Sequence, residues 1–373
     1  MKAMAKRKQG KGESAVRLER LFAAMDESGL DAAVLDNRDD AFYFSGYTGS
    51  DSVAVLSAKK RRGWLVTDNR YTEEAEKTAP GLETTVWRGG FGAFVGGLLK
   101  KQGAKKVAYT PGSLSVAFFN AMRDAAGAVK EWRDVQPVIS SFRSVKSPAE
   151  IDLMARALAC SEAAFQASKK HWKIGMTEIE VKNDLEWEMR RFGADGTSFE
   201  TIVAVGANAS LPHAHAGGGK IQAGKMLLID FGVKLDRYCS DLTRTMWFGD
   251  IPKVWRKRYQ AVLDAQAAGA AAIAPGVACK RPDASARRVL ALAGLEERFT
   301  HGLGHGVGLA IHEDPRLSQK CAMTLEPGNV VTVEPGVYFP GSGGIRIEDM
   351  ALVTGDGMRI LSVLPRDIES AVI

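Results

Sequence analysis

Apolar residues recur at helical spacing over residues 16–28, where Leu18, Leu21, Phe22 and Met25 share one face and Gly29 supplies a stop, so an amphipathic helix is predicted there. The pattern then shortens into β-rich runs at 32–35, 53–56, 63–66 and, after another helical stretch, 106–109. Such alternation predicts an α/β domain. Near residue 147 the pattern changes. Ser147-Pro148-Ala149-Glu150 offers a capping Ser, a Pro at the first helical position and a Glu placed to close a capping box, and Ile151, Met154, Leu158 and Phe165 continue on one helical face. Helices are expected over 147–172 and 177–192, then strands around 201–206 and 226–233, a helix over 252–274 and a final β-rich stretch. No internal repeat is evident, although an α-rich then β-rich order could recur within this second domain.

Length and composition fit this division. A chain of 373 residues, 45% hydrophobic and 25% charged, has the make-up of a soluble globular protein and exceeds the usual single domain. We assign residues 1–14 to a basic disordered tail, 15–145 to the first domain and 147–373 to the second. The tail carries Lys2, Lys6, Arg7, Lys8 and Lys11 against Glu13 alone, which is +4 of the net +6. The body is therefore near neutral, which argues against a nucleic-acid partner. No window approaches the roughly 18 apolar residues of a membrane span, and no apolar segment follows the basic stretch as a secretory signal would require. Cys160, Cys239, Cys279 and Cys321 are scattered without a CxxC pair, as expected of reduced cytoplasmic thiols.

The candidate chemistry lies in the second domain. Five of the six histidines fall in two segments, LPHAHAG (His213, His215) and HGLGHGVGLAIHEDP (His301, His305, His312). Asp230 ends the run Met226-Leu227-Leu228-Ile229, Glu334 follows Val330-Val331-Thr332-Val333, and Glu348 is preceded by Ile345 and Ile347. Ionised acids in such apolar strands are costly unless a cation compensates. A turn at Asp236-Arg237 would let Asp230 and Asp241 return to one face, and the Gly/Pro-rich segment 339–344 would do the same for Glu334 and Glu348. Four carboxylates with one neutral imidazole balance two divalent ions, whereas one ion leaves a net charge of about −2. The oxygen-rich donor set suits Mn²⁺, Co²⁺ or Fe²⁺, with Zn²⁺ as an alternative. Two such ions can share a water, acidify it and polarise a carbonyl, which is equipment for amide hydrolysis. The Gly-rich HGLGHGVG lacks the Lys-Ser or Lys-Thr ending of a phosphate loop. Trp64 and Trp87 are read as core or domain-contact residues.

The motifs LPHAH, LLIDFG, YCSDLTRT, HGLGHGVGLAIHEDP, TVEPGVY and GIRIED, in that order over about 210–350, resemble the pita-bread metallopeptidases, the group of methionine aminopeptidase, aminopeptidase P and prolidase. NRDDAFYFSGYTGSDSVAVLS and LVTDNRYTE, earlier in the chain, resemble the creatinase-type N-terminal domain of aminopeptidase P and prolidase. The resemblance implies a creatinase-like α/β domain followed by an α+β pita-bread catalytic domain. Carried over residue by residue, it makes Asp230 a ligand of one metal ion, Asp241 and Glu348 bridging ligands, and His305 and Glu334 ligands of the second. Glu334 would also accept a proton from the bridging water. His213 and His312 resemble the pair that contacts substrate and stabilises the tetrahedral intermediate, and His301 a histidine of the proline-side pocket. Arg316 resembles the prolidase residue that holds a dipeptide's carboxylate, and Arg346 an arginine that orients acidic ligands. His215 has no assigned role and is expected at the surface or behind the ligands. The sequence departs from the family in Ala216-Gly217-Gly218-Gly219 after LPHAH, so that loop is expected to be more mobile.

The activity implied is hydrolysis of Xaa-Pro bonds in short peptides by a homodimeric cytoplasmic enzyme, either as a dipeptidase or as an aminopeptidase. The N-terminal domain argues against a methionine aminopeptidase, and the complete ligand set argues against creatine amidinohydrolase and against a non-catalytic relative that binds peptides, histones or RNA.

Overall fold

The computed structural model describes residues 11–373, which form two compact units that part between Ser141 and Phe142. The division falls inside the helix Gln136–Ser144, a few residues before the expected domain start at 147. The first helix, Lys11–Glu27, starts inside the stretch 1–14 assigned to a disordered tail. Glu13 pairs with Arg17 one turn on, which carries the helix back past Ser14. The rest of the basic tail lies outside the described residues.

In the N-terminal unit this helix buries Leu18, Leu21, Phe22 and Met25, and Gly29 follows it at a φ of 63°. Strands Ala32–Leu35 (β1), Ser52–Ser57 (β2), Arg62–Thr67 (β3), Glu83–Val86 (β4), Lys106–Tyr109 (β5) and Glu131–Asp134 (β6) form one sheet in the order β4-β3-β2-β1-β5-β6. It is mixed: β1–β2 and β2–β3 are antiparallel, and the other pairs are parallel. Helices Phe91–Lys101 and Val116–Ala126 pack closely on each other because Gly96 has no side chain; a Cβ there would lie 2.1 Å from the Met122 carbonyl oxygen. Trp64 is buried in the core of this unit, and Trp87 packs against that core while stacking on Phe91 at 5.4 Å.

In the C-terminal unit the α-then-β order does recur. Helix Pro148–Lys169 begins with the expected capping box at Ser147, and helix Glu178–Arg191 with a second one at Thr177. They precede Gly196–Thr197 (β7), Ile202–Val205 (β8), Met226–Phe231 (β9), Val233–Leu235 (β10), Tyr238–Cys239 (β11) and Leu242–Trp247 (β12). Helices Lys253–Ala271 and Lys280–Leu292 then precede Gly304–Gly306 (β13), Glu313–Leu317 (β14), Val330–Val333 (β15), Gly336–Phe339 (β16), Gly343–Arg346 (β17), Asp349–Val353 (β18) and Met358–Ile360 (β19). The sheets run β12-β9-β8 and β14-β13-β15-β18-β19, beside the ribbon β16-β17 and a small sheet β11-β10-β7. One apolar core, from Ile202 and Leu228 through Val262 and Leu290 to Val331 and Ala351, joins both halves. No helix among the described residues is long and apolar enough to cross a membrane.

Candidate metal centre

Strand registry explains how distant acids meet. β12 pairs antiparallel to β9 with Thr243 opposite Asp230, so period-two alternation puts Asp230, Asp241 and Thr243 on one face. The connection is longer than a single hairpin: β10 and β11 are joined by Asp236 and Arg237 at φ values of 47° and 75°, the two-residue turn expected there. On the other sheet Val333 pairs with Asp349, so Glu334 and Glu348 flank one rung, and the β16-β17 ribbon links them. In the β13–β14 register His305 lies opposite Arg316.

All ten residues given roles from the sequence line one cavity of about 570 Å³. Asp241, His305 and Glu348 offer one ligand atom each within 4.8 Å of one another, and all three are buried. Nε2 of His305 lies 3.5 Å from Asp241 and 3.3 Å from Glu334. Its Nδ1 lies 3.1 Å from the Gly306 carbonyl oxygen, an acceptor only, so Nδ1–H is spent there and Nε2 faces both carboxylates. Asp230 is held differently. Its Oδ2 accepts from Arg346 Nη2 at 2.6 Å, while its Oδ1 is buried without a hydrogen-bond partner. An orphaned carboxylate oxygen beside a cluster of acids is what a cation would satisfy.

The acids do not balance one another without such a cation. Burial, compounded by Glu348, Asp230 and Glu334, holds the Asp241 carboxyl well above its ordinary value. Burial, with Glu334 and Asp230, does the same to Glu348. Asp230 is also raised by burial, which the Arg346 charge only partly offsets. Glu334 runs the other way. Burial pushes it up, but His305, with His301 and Arg346 nearby, overcomes this and holds it down at about 2.

Arg346 corrects the charge balance drawn from sequence. It is 3% exposed and adds a positive charge inside the site, so the four carboxylates sum to −3 and charge alone no longer selects two ions over one. The residues fit divalent cations all the same, through the three-donor cluster, the orphaned Asp230 oxygen and the raised carboxyls. Asp230, Asp241, His305, Glu334 and Glu348 would hold them.

Ions and protons compete for Asp241 and Glu348, whose carboxyls are both raised by burial. A carboxyl whose folded value is raised destabilises the fold above that value, and the penalty is relieved as pH falls through it. Metal ions should therefore raise Tm more at about pH 8 than at about pH 6. Differential scanning fluorimetry of chelated and metal-loaded protein at both values checks this; an increment that is flat or larger in acid counts against these ligands.

Neighbours that sequence reasoning missed fix the candidate ligands. Thr243 Oγ1 donates to Glu348 Oε2 at 2.7 Å and accepts from Arg346 Nε at 3.0 Å. Thr332 Oγ1 donates to Glu334 Oε1 and accepts from the His305 N–H, both at 3.1 Å. Tyr338 Oη accepts from Arg346 Nη1 at 2.8 Å and lies 2.9 Å from His301 Nε2. Because His301 Nδ1 is spent on the Gly302 carbonyl at 2.8 Å, Tyr338 donates to Nε2 and both ring nitrogens are taken. Burial lowers the His301 value, in keeping with a neutral ring. The only signal for the threonines was their place two residues from a ligand on the same strand face.

The residues expected on the substrate side occupy the rest of the wall. The His312 ring sits edge-on to His305 at 4.4 Å, and burial, with His305 and Arg316 beside it, lowers its value to about 4. Glu313, next to it, accepts from Arg143, from Lys146 at 3.2 Å and from the Ala310 N–H at 3.0 Å, which fixes the loop before His312. His213 lies on the loop at the cavity mouth. His215 is also on the rim, largely exposed and 3.4 Å from Glu200.

Comparison with known proteins identifies the family. Residues 152–355 match the model of metallopeptidase family M24, and residues 17–145 that of the Creatinase/Prolidase N-terminal domain. Uncharacterized peptidase YqhT of Bacillus subtilis is 36% identical over 95% of this chain and 99% of its own. Among solved structures, an Xaa-Pro dipeptidase from Bacillus anthracis superimposes with a TM-score of 0.91 at 35% identity, covering 96% of this chain and 100% of the other. An X-Pro aminopeptidase from Thermotoga maritima does so at 0.85 and 34% identity, with the same coverage. Fold, site and relatives converge: the chain belongs to metallopeptidase family M24, in the two-domain branch that carries a Creatinase/Prolidase N-terminal domain.

Proposed function

We propose that this enzyme hydrolyses the Xaa-Pro bond of short peptides, with two divalent ions held by Asp230, Asp241, His305, Glu334 and Glu348. The observation that carries the proline reading is the wall built by His301. Both its nitrogens are bonded within the protein, so it offers substrate an aromatic surface and no hydrogen bond. A pyrrolidine ring has no N–H to satisfy and fits such a wall. The relatives described as an Xaa-Pro dipeptidase and an X-Pro aminopeptidase support the same substrate class.

Asp230, Asp241, His305, Glu334 and Glu348 would hold divalent ions, which would supply polarisation of a carbonyl and a more acidic water. The chain's own groups do the rest. Glu334, its Oε1 fixed by Thr332, accepts the proton that the attacking water gives up. His312, held neutral, keeps a ring N–H to donate to the carbonyl oxygen as charge develops there, and His213, which lines the same cavity, contacts the substrate with it. Manganese is the preferred ion, with Co²⁺, Fe²⁺ and Zn²⁺ as alternatives on the same oxygen-rich set. Four free thiols, three of them buried, are in keeping with a cytoplasmic location. A homodimer acting on peptides, with neither nucleic acid nor membrane as partner, completes the reading.

Arg316 favours the dipeptidase form. Exposed on the cavity wall and opposite His305 in the register, it is placed to meet a free carboxylate one residue beyond the scissile bond. Arg316→Ala should cost more on an Xaa-Pro dipeptide than on an Xaa-Pro-Xaa tripeptide, by about tenfold or more for a lost charge-assisted pair. Metal-supplemented kcat/KM values on both peptides and on a proline-free control decide the matter. Equal losses remove the carboxylate clamp, and cleavage of the control alone removes the proline reading.

A further inference from the structure

The loop that carries His213 was expected to be mobile because Ala216-Gly217-Gly218-Gly219 follows it. The structure shows it tied down by one side chain. Glu178, at the first turn of helix Glu178–Arg191, is 2% exposed and has its carboxylate among neutral N–H donors. Its Oε1 accepts from the Val205 N–H at 2.7 Å and from Asn208 Nδ2 at 3.0 Å, and its Oε2 from the Gly217 N–H at 2.9 Å. The backbone returns the grip: the N–H groups of Glu178 and Ile179 donate to the carbonyls of Gly219 and Gly217 at 2.8 and 3.2 Å. The free N–H groups of a helix start are thus used to hold a loop.

The glycines make room for this clamp. A Cβ on Gly219 would lie 2.7 Å from Glu178 Oε1, so the position occupied by the carboxylate excludes a side chain there. Asn208 extends the clamp by donating to the His215 carbonyl oxygen at 3.3 Å. At the other end of the loop, Arg346 Nη1 donates to the Pro212 carbonyl oxygen at 3.3 Å. His213 sits between an anchor shared with Asp230 and an anchor supplied by Glu178.

We propose that Glu178 is a positioning residue for the reaction, fixing the loop that presents His213 to the substrate. The proposal rests on the reading of His213 as a substrate contact. Glu178 touches no reacting atom, so its effect must pass through the imidazole. In Glu178→Gln the amide can keep one acceptor, but its NH₂ then faces N–H groups of the loop, and a donor meets a donor.

The test uses full-length, zinc-loaded enzyme with ¹³C-labelled histidine rings, the His213 signal being identified by its loss in His213→Ala. In E178Q that signal should shift or broaden. Those of His171, which reports the same helix through its 3.0 Å contact with Asp184, and of His305 should stay in place. Turnover of an Xaa-Pro dipeptide should fall on the order of 10- to 100-fold, chiefly in kcat. On the H213A background E178Q should cost nothing further. An unmoved His213 signal, or a full E178Q loss on the H213A background, overturns the proposal. If H213A alone keeps wild-type turnover, the contact role of His213 fails, while the ring signal still decides whether Glu178 positions it. Should E178Q fail to fold, Gly219→Ala presses on the same carboxylate and carries both readouts.

Discussion

Asp241→Asn is expected to remove turnover while leaving the metal-free protein at least as stable as the wild type. Loss of a ligand to the catalytic ions forfeits several kcal/mol of transition-state stabilisation, which at about 1.4 kcal/mol per tenfold is roughly 10³-fold in rate. The stability effect has the opposite sign from that of most buried polar substitutions. Asp241 is 4% exposed and stands among three other carboxylates, with its own carboxyl raised by burial and by Glu348, Asp230 and Glu334. Above its folded value the ionised side chain is therefore a penalty, which an amide of the same shape does not carry. Without metal, Tm of Asp241→Asn should match the wild type in acid and exceed it as pH rises. With metal, the increment in Tm should shrink or vanish. Wild-type turnover by the purified variant at matched metal content, or a metal-free Tm well below the wild type at high pH, would remove Asp241 from the centre.

That the centre could be read from the chain at all follows from how costly its residues are. Asp230 stands in a buried strand and Glu334 and Glu348 beside the ends of others, and an acid there announces a cation regardless of the details of the fold. The helix start at Ser147 was equally legible, because its capping box is a local code, whereas the first helix began earlier than its apolar pattern showed. What escaped was neutral or distant. Thr243, Thr332 and Tyr338 are hydroxyls in strands, and nothing in their composition says that each orients a ligand or its neighbour. Glu178 lies 39 positions before Gly217, so a run of glycines that looked mobile acquires its anchor only once the helix is packed. Arg346 was visible as an orienting group, but its charge belongs in the sum only because it is buried with the acids.

Arg346→Met is therefore expected to cost stability in a way that depends on metal. The guanidinium donates to Asp230 Oδ2 at 2.6 Å, to Thr243 Oγ1 at 3.0 Å, to Tyr338 Oη at 2.8 Å and to the Pro212 carbonyl at 3.3 Å. Removing one partner of a buried ion pair costs roughly 3–5 kcal/mol, because the other charge is left uncompensated. For a unit of this size that is on the order of 10 °C in Tm. Metal ions at Asp230 would supply the missing positive charge, so the loss should be largest in chelated protein and smaller in loaded protein. It should also ease as pH falls, since a carboxyl already raised by burial rises further without Arg346 and then takes up a proton. Arg346→Lys cannot serve four acceptors from one fork and should recover only part of the difference. Thermal unfolding with and without metal at two pH values reads all three effects. An equal loss in chelated and loaded protein would mean that Arg346 acts by packing, and that Asp230 is not where the ions add their charge.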